Sequence, residues 1–205
     1  MTFRIEVFKG HETAPYIQKL AEMRLKEFAQ FPYLYKGTLE DELPYINVYT
    51  QEPQAILVSA FQGNELVGLF SGMPLETFAP FVKSWADKMK EEGFETQKFF
   101  YAGELMIESH FRKQGLGSQL MNRLIQEAKQ MGFKAMMCVT SIRSLNHPLR
   151  PKAYFDSDTI WGKYGLVKTP IVFTAPYPTH QADGTVKTEQ NELACWIKQW
   201  DDIPD

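Results

Sequence analysis

The sequence predicts a single α/β domain built on a mixed sheet, and three observations carry that expectation. Between Lys98 and Val139 a strand, a glycine turn, a helix and a second strand follow one another, the order of a βαβ unit with parallel neighbours. The apolar run 55–61, the turn Gln62-Gly63-Asn64 and the run 66–70 read as an antiparallel hairpin. A chain of 205 residues, 44% hydrophobic and 23% charged, can bury a core without disulfides or structural metals, so one domain over residues 1–205 is expected.

The elements follow in order. Residues 1–7 alternate like a strand rather than forming a secretory leader. Thr13 can cap a helix with Pro15 in its first turn, along which Ile17, Leu20, Ala21, Arg24, Leu25 and Phe28 recur on one stripe. A second helix begins near Thr38, where Glu40, Asp41 and Glu42 suit the positive end of the dipole, and Pro44 disturbs its early course. After the hairpin, Pro80 opens a helix marked by Phe81, Val82, Trp85 and Met89 that ends near Gly93, and a fourth strand covers roughly 98–107. From Gly115, the residues Leu116, Leu120, Leu124, Ala128 and Met131 share one face up to a cap at Gly132, and a fifth strand covers 135–139. Ser157 or Asp158 can cap a short helix closed by Gly165. Strands at 167–174 and 193–197 finish the chain, with 176–184 as a loop between them.

A net charge of −3 offers no broad basic field for nucleic acid. No apolar run reaches membrane-spanning length, and a cytoplasmic protein, monomer or homodimer, is expected. Cys138 and Cys195 fall in apolar runs that read as strands, so they are expected as buried thiols. His11, His110, His147 and His180 lie far apart without ligand spacing, and no metal is expected. His147 and Arg150 sit in a connection where a substrate role is conceivable. Trp85, Trp161, Trp196 and Trp200 read as packing residues.

The chemistry is concentrated at residues 105–120, where a strand passes through a basic glycine turn into the fifth-strand-directed helix. A helix N-terminus presents unpaired N–H groups and the positive dipole end, a ready site for phosphate. Gly115 and Gly117 let the backbone approach a pyrophosphate, and Arg112 and Lys113 add charge. Two other phosphate loops fail on spacing: Leu120 stands where a dinucleotide fingerprint needs glycine, and no Gly-Lys-Ser or Gly-Lys-Thr occurs for a Walker loop.

Arg112-Lys113-Gln114-Gly115-Leu116-Gly117 resembles the Arg/Gln-x-x-Gly-x-Gly/Ala signature of the GNAT acetyltransferase superfamily, with the strand end Leu105-Met106-Ile107 at the matching distance. Residues 160–166 resemble that superfamily's aromatic helix ending in Gly-Phe. Gly72-Met73-Pro74-Leu75, the stretch 147–151 and Cys195-Trp196-Ile197-Lys198 are similar to a bacterial-type subgroup. The resemblance covers essentially the whole chain. It implies a mixed, mostly antiparallel sheet splayed between strands four and five and flanked by helices. It also implies acetyl-CoA held by Leu105, Met106 and Ile107 through main chain and by the loop Arg112, Lys113, Gln114, Gly115, Leu116, Gly117 and Ser118.

The activity implied is N-acetylation of a primary amine on a small molecule or peptide by direct attack in a ternary complex. An amine with a pKa near 10 needs a base at neutral pH. Glu104 is the first candidate, with Tyr101 and Glu108 as alternatives on the same strand, a bulge deciding which points inward. The Met106 N–H is the implied oxyanion donor. The resemblance places a thiolate-protonating Tyr four residues before the helix-closing glycine, but Trp161 stands there, and Tyr164 is the substitute. That departure leaves an alternative, a catalytically weak acyl-CoA-binding sensor or interaction module on the same fold.

Overall fold

The computed structural model describes residues 2–77, 79–154 and 156–200. Strand β1 (Arg4–Lys9) leads through a 3-10 turn (Gly10–Tyr16) into helix α1 (Ile17–Phe28), followed by α2 (Leu39–Ile46) and the single turn α3 (Val48–Gln51). The hairpin β2 (Ile56–Gln62) and β3 (Glu65–Pro74), helix α4 (Pro80–Glu91) and β4 (Phe99–Ile107) come next. Helix α5 (Leu116–Gln130), β5 (Ala135–Ser141), α6 (Ser157–Lys163), β6 (Val167–His180) and β7 (Val186–Gln199) complete the order.

One seven-stranded sheet runs β1-β2-β3-β4-β5-β7-β6, antiparallel throughout except for the parallel β4-β5 pair. That pair is short. It holds from Phe99↔Ala135 to Tyr101↔Met137, although β4 continues to Ile107 and β5 to Ser141. Past Tyr101 the strands part, and the sheet is splayed there as the resemblance implies.

The two sheet faces carry separate cores. Leu20 and Met23 of α1 and Val82, Trp85 and Met89 of α4 pack with Leu69, Met106 and Met137 on one face. Leu116, Leu120 and Leu124 of α5 pack with Val67, Phe100 and Cys138 on the other. Alternation along β4 is broken once: Phe70 pairs with Leu105 but Gly72 with Ala102, so Gly103 and Glu104 together face Ser71. This bulge brings Tyr101, Glu104 and Met106 to the α1 face, whereas regular alternation would send Glu104 to the α5 face.

Three local expectations are corrected. Thr13 lies inside the 3-10 turn, its hydroxyl donating to the Gly10 carbonyl at 2.7 Å, and α1 starts at Ile17. The cap of α6 is Asp156, not Ser157 or Asp158. The stretch read as a loop at 176–184 is strand as far as His180, pairing Pro176↔Gln190 and Pro178↔Thr188. Pro176 and Pro178 are tolerated because their ring nitrogens face away from β7. On that outer edge the Pro178 carbonyl accepts from Lys36 N–H at 2.9 Å, and His180 N–H donates to Leu34 at 2.8 Å.

Candidate active site

The glycine loop enters α5 through a left-handed Gly115 (φ 79°) that gives the helix no side-chain cap, so the first-turn amides are free of any local acceptor. Lys113 is also left-handed (φ 60°), an uncommon state for a residue with a Cβ. A side chain on Gly117 would meet the Tyr164 hydroxyl at 3.3 Å and Ile107 Cδ1 at 3.5 Å. Leu116 is buried beneath the loop, so it offers main chain only. Gln114 Nε2 donates to the His110 carbonyl at 3.0 Å. Arg112 Nε donates to the Ile107 carbonyl at 2.9 Å while its other arm pairs with Glu27 of α1. In this arrangement Arg112 fastens the loop to β4 and α1.

The edge of β4 beside the splay belongs to alternate residues. Glu108 N–H donates to Val67 at 2.9 Å, and Leu69↔Met106 lies two residues along the same ladder, so the Met106 N–H points into β3. Leu105 and Ile107 turn their amides to the edge that β5 has left. The oxyanion donor expected at Met106 is therefore not on the open edge.

Glu104 lies on the opposite sheet face from α5, at the wall of a cavity of about 260 Å³. Its carboxylate is buried and fully engaged. On Oε1 it accepts from Arg24 and from the Tyr45 hydroxyl at 2.8 Å; on Oε2 it accepts from Ser71 and from Tyr49 at 3.0 Å. Arg24 also pairs with Glu42 and lies over the rings of Tyr45 (4.2 Å) and Phe28 (4.8 Å). Burial opposes the charge of Arg24, but Glu104, Tyr45 and Glu42 outweigh it and hold its pKa well above the ordinary value. Burial first, then the charge of Glu104, raises the pKa of Tyr45, Tyr49 and Tyr101, so these phenols stay protonated.

Of the three base candidates, Glu104 and Tyr101 line the cavity. Glu108 is drawn elsewhere, paired with Lys26 and Lys19, and the hydrogen bond from Lys26 holds its carboxyl below the usual range. Tyr164 is not beside Glu104. Its hydroxyl stands 3.4 Å from Ser118 Oγ at the start of α5, and Trp161 packs half-buried against the α5-side core. Arg150 is held by Asp156 at 2.8 Å and His147 Nδ1 accepts from Leu149 N–H, both outside the Glu104 cavity. Sequence reasoning missed Tyr45, Tyr49, Ser71 and the lining role of Trp85. The signal available was Arg24, a guanidinium on an otherwise apolar helical stripe. Among the described residues, no group of three or more His, Cys, Asp or Glu could hold a metal ion, and no helix is long and apolar enough to cross a membrane.

The splayed β4-β5 pair thus has an uncapped glycine-turn helix on one face and a carboxylate cavity on the other. Residues 19–150 match the family model "Acetyltransferase (GNAT) family", and the chain belongs to that family. It is thus an acyltransferase whose acetyl donor is acetyl-CoA. The structure is similar to a putative acetyltransferase from Salmonella typhimurium solved with acetyl-CoA, at 15% identity and TM-score 0.58, covering 100% of this chain and 99% of that one. It is also similar to a mosquito arylalkylamine N-acetyltransferase-like protein (13%, TM-score 0.60, 96% and 100%). A third is a ribosomal-protein-alanine N-acetyltransferase from Brucella melitensis (15%, TM-score 0.58, 98% and 100%). At these identities the likeness is one of fold. No curated protein matches the sequence.

Proposed function

We propose that this chain acetylates a primary amine by direct attack within a ternary complex, donor and acceptor entering from opposite faces of the sheet. The observation that carries this reading is the parting of β4 from β5 past Tyr101↔Met137, which leaves an opening flanked by the α5 loop on one side and the Glu104 cavity on the other. The residues present fit acetyl-CoA. The uncapped amides of Leu116, Gly117 and Ser118, with Gly115 and Lys113 shaping the turn, suit its pyrophosphate, and the free edge at Leu105 and Ile107 suits its amide-bearing arm. When bound, acetyl-CoA supplies an acetyl group activated as a thioester.

The chain's own residues supply orientation and a proton path. Leu105, whose N–H lies on the open edge next to Glu104, takes the role of hydrogen-bond donor to the acetyl oxygen that was expected of Met106. Glu104 is the base. Because all its acceptor positions are taken, it receives the proton through a bond that already exists: Tyr45 passes its hydroxyl proton to Oε1 as it takes one from the ammonium. The raised phenol pKa makes this a concerted exchange, with no free phenolate. Tyr164, facing Gly117 and Ser118, is placed to steady the bound donor or to hand a proton toward it.

The test is thiol release from acetyl-CoA with a panel of primary amines, beside calorimetric binding of acetyl-CoA alone. Amine-dependent release with stoichiometric acetylated product supports the reading. Tight binding without amine-dependent release would establish a sensor or interaction module instead.

A further inference from the structure

Resting on the transferase reading above, we infer that the acceptor is a compact arylalkyl monoamine without a carboxylate, and not a polyamine or an amino acid. Five elements bring aromatic rings to the cavity, with Val139, Ala175 and Leu193 completing the wall. Phe28 comes from α1, Tyr45 from α2, Phe81 and Trp85 from α4, Tyr101 from β4 and Tyr177 from β6. Phe81 lies 4.2 Å from Tyr45 and 5.5 Å from Trp85, and Trp85 lies 5.5 Å from Tyr101, so these four rings form one continuous surface. Such a surface favours a flat apolar body by area burial and ring–ring geometry, and it tolerates one cation over a ring face. At about 260 Å³ the space accommodates one ring with a short chain.

Charge counting narrows the class further. Inside the cavity, Glu42 and Glu104 face the single guanidinium of Arg24, which leaves one uncompensated negative charge. Asp41 also lines the site but is exposed and tied to the Thr38 backbone and hydroxyl as a helix cap. One ammonium neutralises the interior. A second ammonium of a polyamine would have to compete for Asp41, whose carboxylate is already engaged by the Thr38 backbone and hydroxyl. An amino acid would bring a carboxylate, yet Arg24, the cation lining the cavity, is already shared by two carboxylates.

Two covering elements bound the cavity. The segment carrying Tyr33 and Tyr35 is bonded to the β6 edge through Lys36 N–H to Pro178 and His180 N–H to Leu34. Helix α4 closes the opposite wall with Phe81 and Trp85.

The experiment compares 2-phenylethylamine, phenylalanine, spermidine and a short alanine-initiated peptide as acceptors at fixed acetyl-CoA, with calorimetric binding of each acceptor in parallel. Phenylethylamine is expected to exceed each of the others at least tenfold in kcat/KM. Trp85→Leu should reduce that margin while leaving acetyl-CoA affinity unchanged. Preferential turnover of spermidine, phenylalanine or the peptide would overturn the inference and leave the transferase reading intact. If no acceptor is turned over, the binding arm decides: selective binding of phenylethylamine upholds the ligand class while the transferase reading fails, and equal or absent binding overturns the class too.

Discussion

Replacing Arg24 with Met would remove the one cation that holds Glu42 and Glu104 together while keeping most of the side-chain volume between the Phe28 and Tyr45 rings. The size of the effect follows from burial. The Arg24 side chain is 11% exposed, that of Glu42 3% and that of Glu104 2%. An exposed ion pair would be worth at most about 1 kcal/mol, whereas breaking a buried pair by deleting one partner costs about 3–5 kcal/mol because the other charge is stranded. In a domain of this size each 1 kcal/mol moves Tm by about 2–4 °C, so Arg24→Met should lower Tm by about 6–20 °C. Urea unfolding followed by tryptophan fluorescence measures the same loss. Adding Glu42→Gln and Glu104→Gln to Arg24→Met removes the stranded charges and should recover a large part of it. A loss below about 1 kcal/mol for Arg24→Met, or no recovery in the triple variant, would refute the buried-network argument.

Gly117→Asp should weaken acetyl-CoA binding by about tenfold or more, since a carboxylate would sit at the backbone anion site, while Tm holds because only the flexible ends of Tyr164 and Ile107 must yield. Unchanged affinity in calorimetry would remove the loop assignment. Glu104→Gln should lower turnover by about a hundredfold or more with acetyl-CoA affinity intact, and its rate should climb with pH toward the acceptor amine's own pKa. Tyr45→Phe should reproduce the rate loss with the ion pairs kept; normal turnover in that variant would exclude the relay. Burial raises both thiols, Cys195 to about 11, so neither should react with a thiol reagent before unfolding, and rapid labelling of native protein would contradict the packing of β5 on β7. Glu127 is partly desolvated, yet Lys9 and Arg123 hold its carboxyl below the ordinary 4.5. Its stabilisation is therefore present above pH 4.5 and lost as pH falls toward the folded value. Glu127→Gln should flatten that part of the acid-stability curve, and an unchanged curve would show that the pairs contribute nothing.

What the sequence disclosed and what it hid divide along the range of the interactions. The α5 loop was legible because a glycine turn, a basic pair and a 3.6-residue repeat are all local, and they lie where the structure has the uncapped helix start. The β4 bulge could be named as a possibility but not placed, because it depends on which β3 residue faces Gly103 and Glu104. Glu104 was a candidate through the family resemblance, which implies an acidic residue at that place on the fourth strand. Its partners Arg24, Tyr45 and Ser71 lie 80, 59 and 33 residues away, beyond any spacing rule. The long β6-β7 hairpin was cut short in the reading by Pro176 and Pro178, whose placement on an outer edge only the pairing reveals. Tyr164 was assigned from its distance to Gly165, and only the structure shows that the end of α6 turns its hydroxyl toward Ser118 at the α5 start.

In the proposed ternary complex, donor and acceptor occupy the two sides of the splay at the same time. Initial rates measured over a grid of acetyl-CoA and arylalkylamine concentrations test it most directly. Double-reciprocal lines that intersect are predicted, with acetyl-CoA alone giving no acetylated protein by mass spectrometry. Parallel lines together with an acetylated enzyme would contradict the account, since they require the donor product to leave before the amine arrives.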